Sequence, residues 1–220
     1  MAKPEKIVVL DFGGQYNQLI ARRVRESGVY CEILNYAVPI EQWRDESLRG
    51  IILTGGPNSV YAEGAPRMKE EILHLGVPVL GICYGMQLIN DLCGGRVESA
   101  EVREYGHTML CVTDSALFKG VQPETAVFMN HGDRVSALPK GFTADASTAN
   151  CPIAAFSDAA RGLYGVQFHP EVRHSVEGTT MLRNFVFGVC GCRGGYRAED
   201  TIERMIAEIR RQVGSGKVVA

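Results

Sequence analysis

The sequence predicts an α/β fold: a doubly wound, mainly parallel sheet with a small, partly antiparallel layer. Three observations carry that expectation. Short apolar runs alternate with helix-period segments in the order βαββαβα through the first half of the chain. The leading run, KIVVLDF at residues 6–12, is apolar on consecutive positions, as a strand covered on both faces must be. Beyond residue 96 the pattern changes to short strands and turns, which suits a smaller, partly antiparallel part.

Taken in order, residues 6–12 form a central parallel strand that Gly13-Gly14 breaks. Residues 15–27 place Tyr16, Leu19, Ile20 and Val24 at helical spacing, with Gly28 as the stop. Strands follow at 30–35 and 50–54, separated by a polar segment around Trp43, and the second runs straight into Gly55-Gly56-Pro57. Residues 66–76 read as a helix, and Pro78 opens a strand over 77–82. From Tyr84 a helix presents Met86, Leu88, Ile89 and Leu92 on one side until Gly94-Gly95 stops it. Strands are then expected at 108–112, 126–129, 142–147 and 153–156, and a last one reads LYGVQFHPEV at 163–172. A short apolar helix at 180–189 precedes a polar connector at 193–199. Asp200-x-x-Glu203 resembles a capping box before an apolar stripe of Ile202, Met205, Ile206, Ile209 and Val213. Residues 217–220 look like the opening of a strand. The expected organisation is therefore one domain over 1–192, then a connector, an amphipathic helix and the start of a further domain over 193–220.

Composition narrows the function. Hydrophobic content of 45% and charged content of 22% are ordinary for a soluble globular chain. A formal charge of -2 gives no electrostatic case for nucleic acid or an anionic membrane. Seven irregularly spaced cysteines argue against a disulfide framework, and Cys190-Gly191-Cys192 lacks the second ligand pair a zinc site needs. Reduced thiols and the lack of a signal-like apolar segment at the start of the sequence predict a cytoplasmic protein.

Cys83 stands where a strand meets a helix, in Gly81-Ile82-Cys83-Tyr84-Gly85. This is the cysteine form of a nucleophile elbow, whose glycines let strand and helix approach behind an exposed sulfur. The start of the helix also favours thiolate over thiol. Alone, a strand-end cysteine is as readily an inert small hydrophobe. The distant His169-Pro170-Glu171 changes the balance. Residues two apart in an extended segment share a face, so Glu171 could orient His169 while His169 takes a proton from Cys83. Gly55-Gly56 lacks the spacing of a phosphate loop, which favours the alternative: the N–H groups of Gly56 and Tyr84 as a donor pair for an oxyanion. His131, expected in a turn with no carboxylate on its face, ranks as a base well behind His169.

These motifs resemble those of the class I, triad-type glutamine amidotransferases: LTGGP at 53–57, GICYGMQ at 81–87 and GVQFHPE at 165–171. LDFGGQY at 10–16, GGPNSVY at 55–61, REYG at 103–106 and NHGD at 130–133 are similar to the branch that serves GMP synthesis. The resemblance implies a flavodoxin-like fold of the amidotransferase type. It implies glutamine as substrate, with Cys83 as nucleophile, His169 as proton shuttle and Glu171 as its orienting group. It also implies Gln87 and the backbone of Gly132 and Asp133 as substrate-binding groups. No cofactor or metal is implied for glutamine hydrolysis; ATP and Mg2+ belong to a partner ATP pyrophosphatase domain that aminates XMP to GMP, in an oligomeric complete enzyme. That domain's serine-glycine-glycine loop is not in this sequence, so the glutaminase half reaction alone is expected. An acceptor from chorismate, UTP or carbamoyl phosphate chemistry, or a catalytically silent regulatory domain, are the alternatives.

Overall fold

Strand β1 (Lys6–Asp11) is buried on both faces because its neighbours are helices on either side. Ile7 and Val9 face a layer holding Ile20, Ala21 and Val24 of α1 (Asn17–Glu26) and Met181 and Leu182 of α3 (Gly178–Arg183). Val8 and Leu10 face the other layer, with Trp43, Ile72 and Tyr84, Met86, Leu88 and Ile89 of α2 (Tyr84–Leu92). The alternation of side chains along one strand thus feeds two cores, which is the doubly wound arrangement. The computed structural model describes residues 4–197, 206, 209–214 and 216.

The other strands are β2 (Tyr30–Asn35), β3 (Leu48–Leu53), β4 (Val79–Ile82), β5 (Arg96–Val112), β6 (Glu124–Ala137), β7 (Thr143–Ser147), β8 (Ala155–Asp158) and β9 (Leu163–Val166). They form one nine-stranded sheet in the order β2-β1-β3-β4-β9-β8-β7-β5-β6. The run from β2 to β9 is parallel, and every pairing from β9 to β6 is antiparallel. The antiparallel part therefore continues the same hydrogen-bonded sheet. The order also sets β1, β3, β4 and β9 side by side, so their carboxyl ends share one edge, where ligands of open α/β sheets bind.

Three local expectations change. Residues 66–76 contain only a 3-10 segment at Glu70–His74, because Pro66 opens the segment and Gly76 closes it in the left-handed region, leaving too few residues for a stable α-helix. The short strands at 108–112 and 126–129 are parts of a 17-residue and a 14-residue strand, paired from Arg96↔Ala137 to Cys111↔Glu124. Their burial is discontinuous, so the apolar pattern marked only the parts that face the core. The turn expected at His131 is consequently strand β6. Of the carboxy-terminal apolar stripe, Ile206 and Ile209 are helical and exposed, whereas Asp200, Ile202, Glu203 and Met205 and residues 217–220 lie outside the described residues.

The connector is pinned at its start. Arg193 N–H donates to Glu5 Oε2 at 2.7 Å, Tyr196 N–H donates to Gly28 O at 2.8 Å, and the Tyr196 ring packs on Tyr30.

Close approach of strand and helix generates a stability prediction. A Cβ on Gly81 would lie 2.4 Å from the Gly85 carbonyl and 2.5 Å from Met86 N, all backbone atoms that cannot step aside. Gly81→Ala should cost about 3 kcal/mol in urea unfolding. Gly188→Ala, whose Cβ would meet nothing within 4 Å, should be within about 0.5 kcal/mol of the parent. Equal effects would show that the β4–α2 contact is not the constraint.

Candidate active site

Cys83 joins β4 to α2 with φ +52° and ψ -107°, and among the described residues it alone has a positive φ without being glycine. Such a backbone is costly for a residue with a Cβ and persists only where its surroundings over-determine it. Those surroundings are visible. Cys83 N–H donates to Val166 O at 2.8 Å, Gln87 N–H donates to Cys83 O at 3.2 Å, and Gly85 N–H donates to Thr54 O at 3.1 Å. A Cβ on Gly85 would lie 2.5 Å from Leu53 O, so the helix leaves the elbow in contact with the end of β3. The sulfur, on a residue only 7% exposed, points toward Asn130 O at 3.8 Å.

His169 and Glu171 follow β9, which ends at Val166. The pair therefore sits in a turn, where the alternation of an extended strand does not apply, yet the two side chains meet. His169 Nδ1 lies 2.8 Å from Glu171 Oε1, with the Glu171 side chain 1% exposed. The turn is held from several sides. His169 N–H donates to Phe128 O at 3.0 Å, Ser175 Oγ donates to His169 O, and Arg23 Nε–H donates to Glu171 O at 3.2 Å. A Cβ on Gly178 would lie 2.0 Å from Pro170 O, so α3 begins directly against this turn. Tyr16 packs edge-on against the imidazole, 5.1 Å between ring centroids.

The two halves converge. Gly55 lies against both, since a Cβ there would be 3.3 Å from His169 Cε1 and 3.6 Å from Cys83 Cβ. Cys83 and His169 therefore face one another across Gly55, and both line the same cavity. Burial pushes the imidazole toward its neutral form, but the Cys83 and Glu171 contacts together outweigh it and hold His169 up at about 10.

Around this pair lies a cavity of about 470 Å³, in the size range of small-metabolite sites. The segment after β1 lends it Gly13 to Asn17, the segment after β3 lends Thr54 to Ser59, and α2 lends Tyr84 and Gln87. Arg103 and Tyr105 of β5 and Asn130 to Asp133 of β6 close the remaining side. All eight residues expected at a site, Cys83, His169, Glu171, Gly56, Tyr84, Gln87, Gly132 and Asp133, line this one cavity. Tyr84 N–H is at the first turn of α2, where backbone donors have no intrahelical acceptor. Gln87 is anchored: its Nε2 donates to Asp133 O at 2.9 Å and to Gln167 Oε1 at 3.0 Å. The Asp133 carboxylate accepts from Tyr61 OH at 2.9 Å and from Ser59 Oγ, which ties the 55–61 loop to β6.

Residue spacing did not reveal several of these groups. Tyr16 and Ser59 sit inside the LDFGGQY and GGPNSVY motifs, but only tertiary contact shows what they touch. His131, expected to lack a carboxylate, has one from the neighbouring strand: its Nε2 lies 3.1 Å from Glu104 Oε2, and both side chains are buried. Glu104, His131 and Cys151 are, among the described residues, a group whose ligand atoms lie within 4.8 Å of one another. Burial, with the Glu104 charge adding to it, pushes the Cys151 thiol up to about 12.

The raised value for His169 carries a pH prediction. Its folded value lies above an unfolded value of about 6.5, so the charged ring stabilises the fold fully below that pH. The contribution is lost as pH rises through about 10. Glu171→Gln removes part of what holds the charge. The stability gap between the two proteins in urea should be widest near about pH 6 and shrink toward about pH 10. A gap independent of pH would show that Glu171 does not hold a charged ring.

Comparison with known proteins agrees with this geometry. The family model for glutamine amidotransferase class-I matches residues 8–189. The chain is 55% identical over 216 residues to the glutamine-hydrolysing GMP synthase of Lachnospira eligens, covering 98% of this chain and 41% of that protein. It is 54% identical to the corresponding protein of Heliobacterium modesticaldum, covering 100% of this chain and 43% of that one. The chain thus spans about two fifths of the length of these curated relatives. The crystal structure of a Thermoplasma acidophilum protein, provisionally assigned to GMP synthase, superposes with a TM-score of 0.74 at 32% identity, covering 93% of this chain and all of that one. No helix among the described residues is long and apolar enough to cross a membrane. With its matching family model, its fold and the residues gathered in its cavity, the chain belongs to the class I glutamine amidotransferase family.

Proposed function

We propose that this chain hydrolyses glutamine to glutamate and ammonia through a thioester on Cys83, and that the ammonia serves amination of XMP to GMP. The observation that carries the reading is the left-handed Cys83 beside the hydrogen-bonded His169–Glu171 pair. With His169 held up at about 10, a proton taken from the thiol is kept on the ring near neutral pH. The Cys83 sulfur attacks the side-chain amide carbon of glutamine. The imidazolium then gives its proton to the departing ammonia, and Glu171 fixes the Nδ1–H so that Nε2 faces the reaction. Water attacks the γ-glutamyl thioester with His169 as base, releasing glutamate and restoring the thiol. The N–H groups of Gly56 and Tyr84 receive the oxyanion formed in each step. Gln87, with its Nε2 already committed, offers its Oε1 to the substrate, and the Gly132–Asp133 segment holds the amino-acid end.

Residues 1–192 form the glutaminase unit in this reading, and 193–220 lead toward an ATP pyrophosphatase domain. The length of the GMP synthase relatives supports a further domain. ATP and Mg2+ act there, glutamine hydrolysis needs neither, and the complete enzyme is a cytoplasmic oligomer.

Incubation with a glutamine-mimicking chloroketone should add its mass at Cys83 alone, and Cys83→Ala should abolish both labelling and hydrolysis. His169→Ala should lower the rate by about 10²-fold or more. Labelling at another residue would defeat the reading. Hydrolysis by the chain alone should be slow and should rise when a pyrophosphatase domain and its nucleotide are supplied. Equally high rates in both conditions would remove the coupling to a partner.

A further inference from the structure

In the β6 wall of the cavity, and behind it, lies a buried polar chain that the proposed chemistry does not use; His131 itself lines the cavity. Glu104 of β5 and His131 of β6 are directly opposed in the register, and each is 5% exposed. His131 Nδ1 lies 2.9 Å from Asp133 O. A carbonyl only accepts, so Nδ1 carries a proton. The 3.1 Å contact between Nε2 and Glu104 Oε2 then requires a second proton between them, since two lone pairs would otherwise face each other. Glu104 Oε1 accepts from Thr148 Oγ1 at 2.8 Å, and Thr148 Oγ1 accepts from Cys151 N–H at 2.9 Å. At the other end, Asp133 O also accepts from Gln87 Nε2. The chain therefore runs from the loop between β7 and β8, through two strands, to the helix that starts at Cys83.

A buried carboxylate–imidazole pair is weak evidence for stability, because desolvation offsets most of what its contact contributes. What this one does geometrically is specific. It fixes the direction of the Asp133 carbonyl, and with it the Gly132–Asp133 segment and the Asp133 side chain that Ser59 and Tyr61 hold. A metal ion is the competing occupant. It would have to replace the proton between His131 Nε2 and Glu104 Oε2 and turn Cys151 Sγ away from Ile153 O, 3.4 Å from it, while the Nδ1 contact to Asp133 O could stay.

We propose that Glu104 and His131 are positioning residues: they hold the Asp133 carbonyl, and through it the part of the cavity that grips the amino-acid end of glutamine. The inference rests on the proposed reading of this cavity as a glutamine site. It predicts an effect on binding with little effect on chemistry. Glu104→Ala should raise KM for glutamine ten-fold or more while kcat stays within about three-fold, and should weaken glutamine binding to the Cys83→Ala protein equally in calorimetry. Glu104→Gln should restore KM to within about three-fold of the parent, since its oxygen still accepts from Thr148 and its amide N–H supplies the proton facing His131 Nε2. If Glu104→Ala does not fold, Thr148→Val, which removes the hydroxyl that seats Glu104 and also accepts from Cys151 N–H, should give a smaller rise confined to KM.

Unchanged KM in folded Glu104→Ala overturns the proposal. So does a loss confined to kcat, or a Glu104→Gln protein as impaired as Glu104→Ala. Stoichiometric zinc binding by the parent protein, lost in Cys151→Ser, would assign the cluster to a metal instead. Glutamine neither hydrolysed by the parent nor bound by Cys83→Ala would sink the glutamine reading itself, and this inference with it. Hydrolysis with an indifferent Glu104→Ala sinks the inference alone.

Discussion

The backbone of Cys83 is the constraint from which the rest of the site follows. A left-handed conformation at a residue with a Cβ must be held by its neighbours, and here three separate elements supply the hold. β9 accepts its N–H, the residue following β3 accepts the N–H of Gly85, and α2 begins on its carbonyl. The side chain is thereby turned off the strand axis toward the carboxyl edge of the sheet. Gly81 and Gly85 make this possible because each sits where an added carbon would overlap backbone. The cost is backbone strain and the return is a sulfur whose direction is set before any ligand arrives.

The same hydrogen bond that fixes Cys83 also aligns it with its partner. Val166 is the last residue of β9, and the chain that leaves it carries His169 three residues later. Adjacency of β4 and β9 in the sheet therefore brings two residues 86 apart in sequence to the same cavity, on either side of Gly55. Glu171 is buried beside the ring, and its charge is tolerated because it accepts from His169. The β5–β6 pair then closes the cavity from the antiparallel side. Its irregular register between Ser99 and Glu104 lies close to the point where Arg103 and Glu104 take opposite roles, one lining the cavity and one buried behind it.

Much of the parallel half was legible because burial on both faces leaves an unmistakable mark. Residues 6–12 correspond to β1 to within a residue, since five of its six positions are buried; residues 30–35 also match β2, although it is an edge strand with only Cys31 buried. The antiparallel half was less legible for the opposite reason. β5 and β6 alternate between cavity, core and solvent, so only fragments of each carried an apolar signal. His131 suffered most. Flanked by asparagine, glycine and aspartate, its local sequence is that of a turn, and its carboxylate partner is 27 residues away on another strand. The segment 66–76 failed differently: its apolar spacing suited a helix, but backbone conformation at its ends left room for one short 3-10 segment.

By itself the sequence determined which chemistry was available: a cysteine between glycines at a strand–helix junction, and a histidine with a carboxylate two residues on. These are local facts, set by residue type and by the steric demands of one turn. Only the tertiary structure decided that they meet, and by what route. His169 and Glu171 meet in a turn and not along an extended strand, because β9 stops at Val166 and the start of α3 crowds the turn that follows. Strand order, which depends on how both faces of the sheet are covered, is a property of the whole chain and cannot be carried by any one segment.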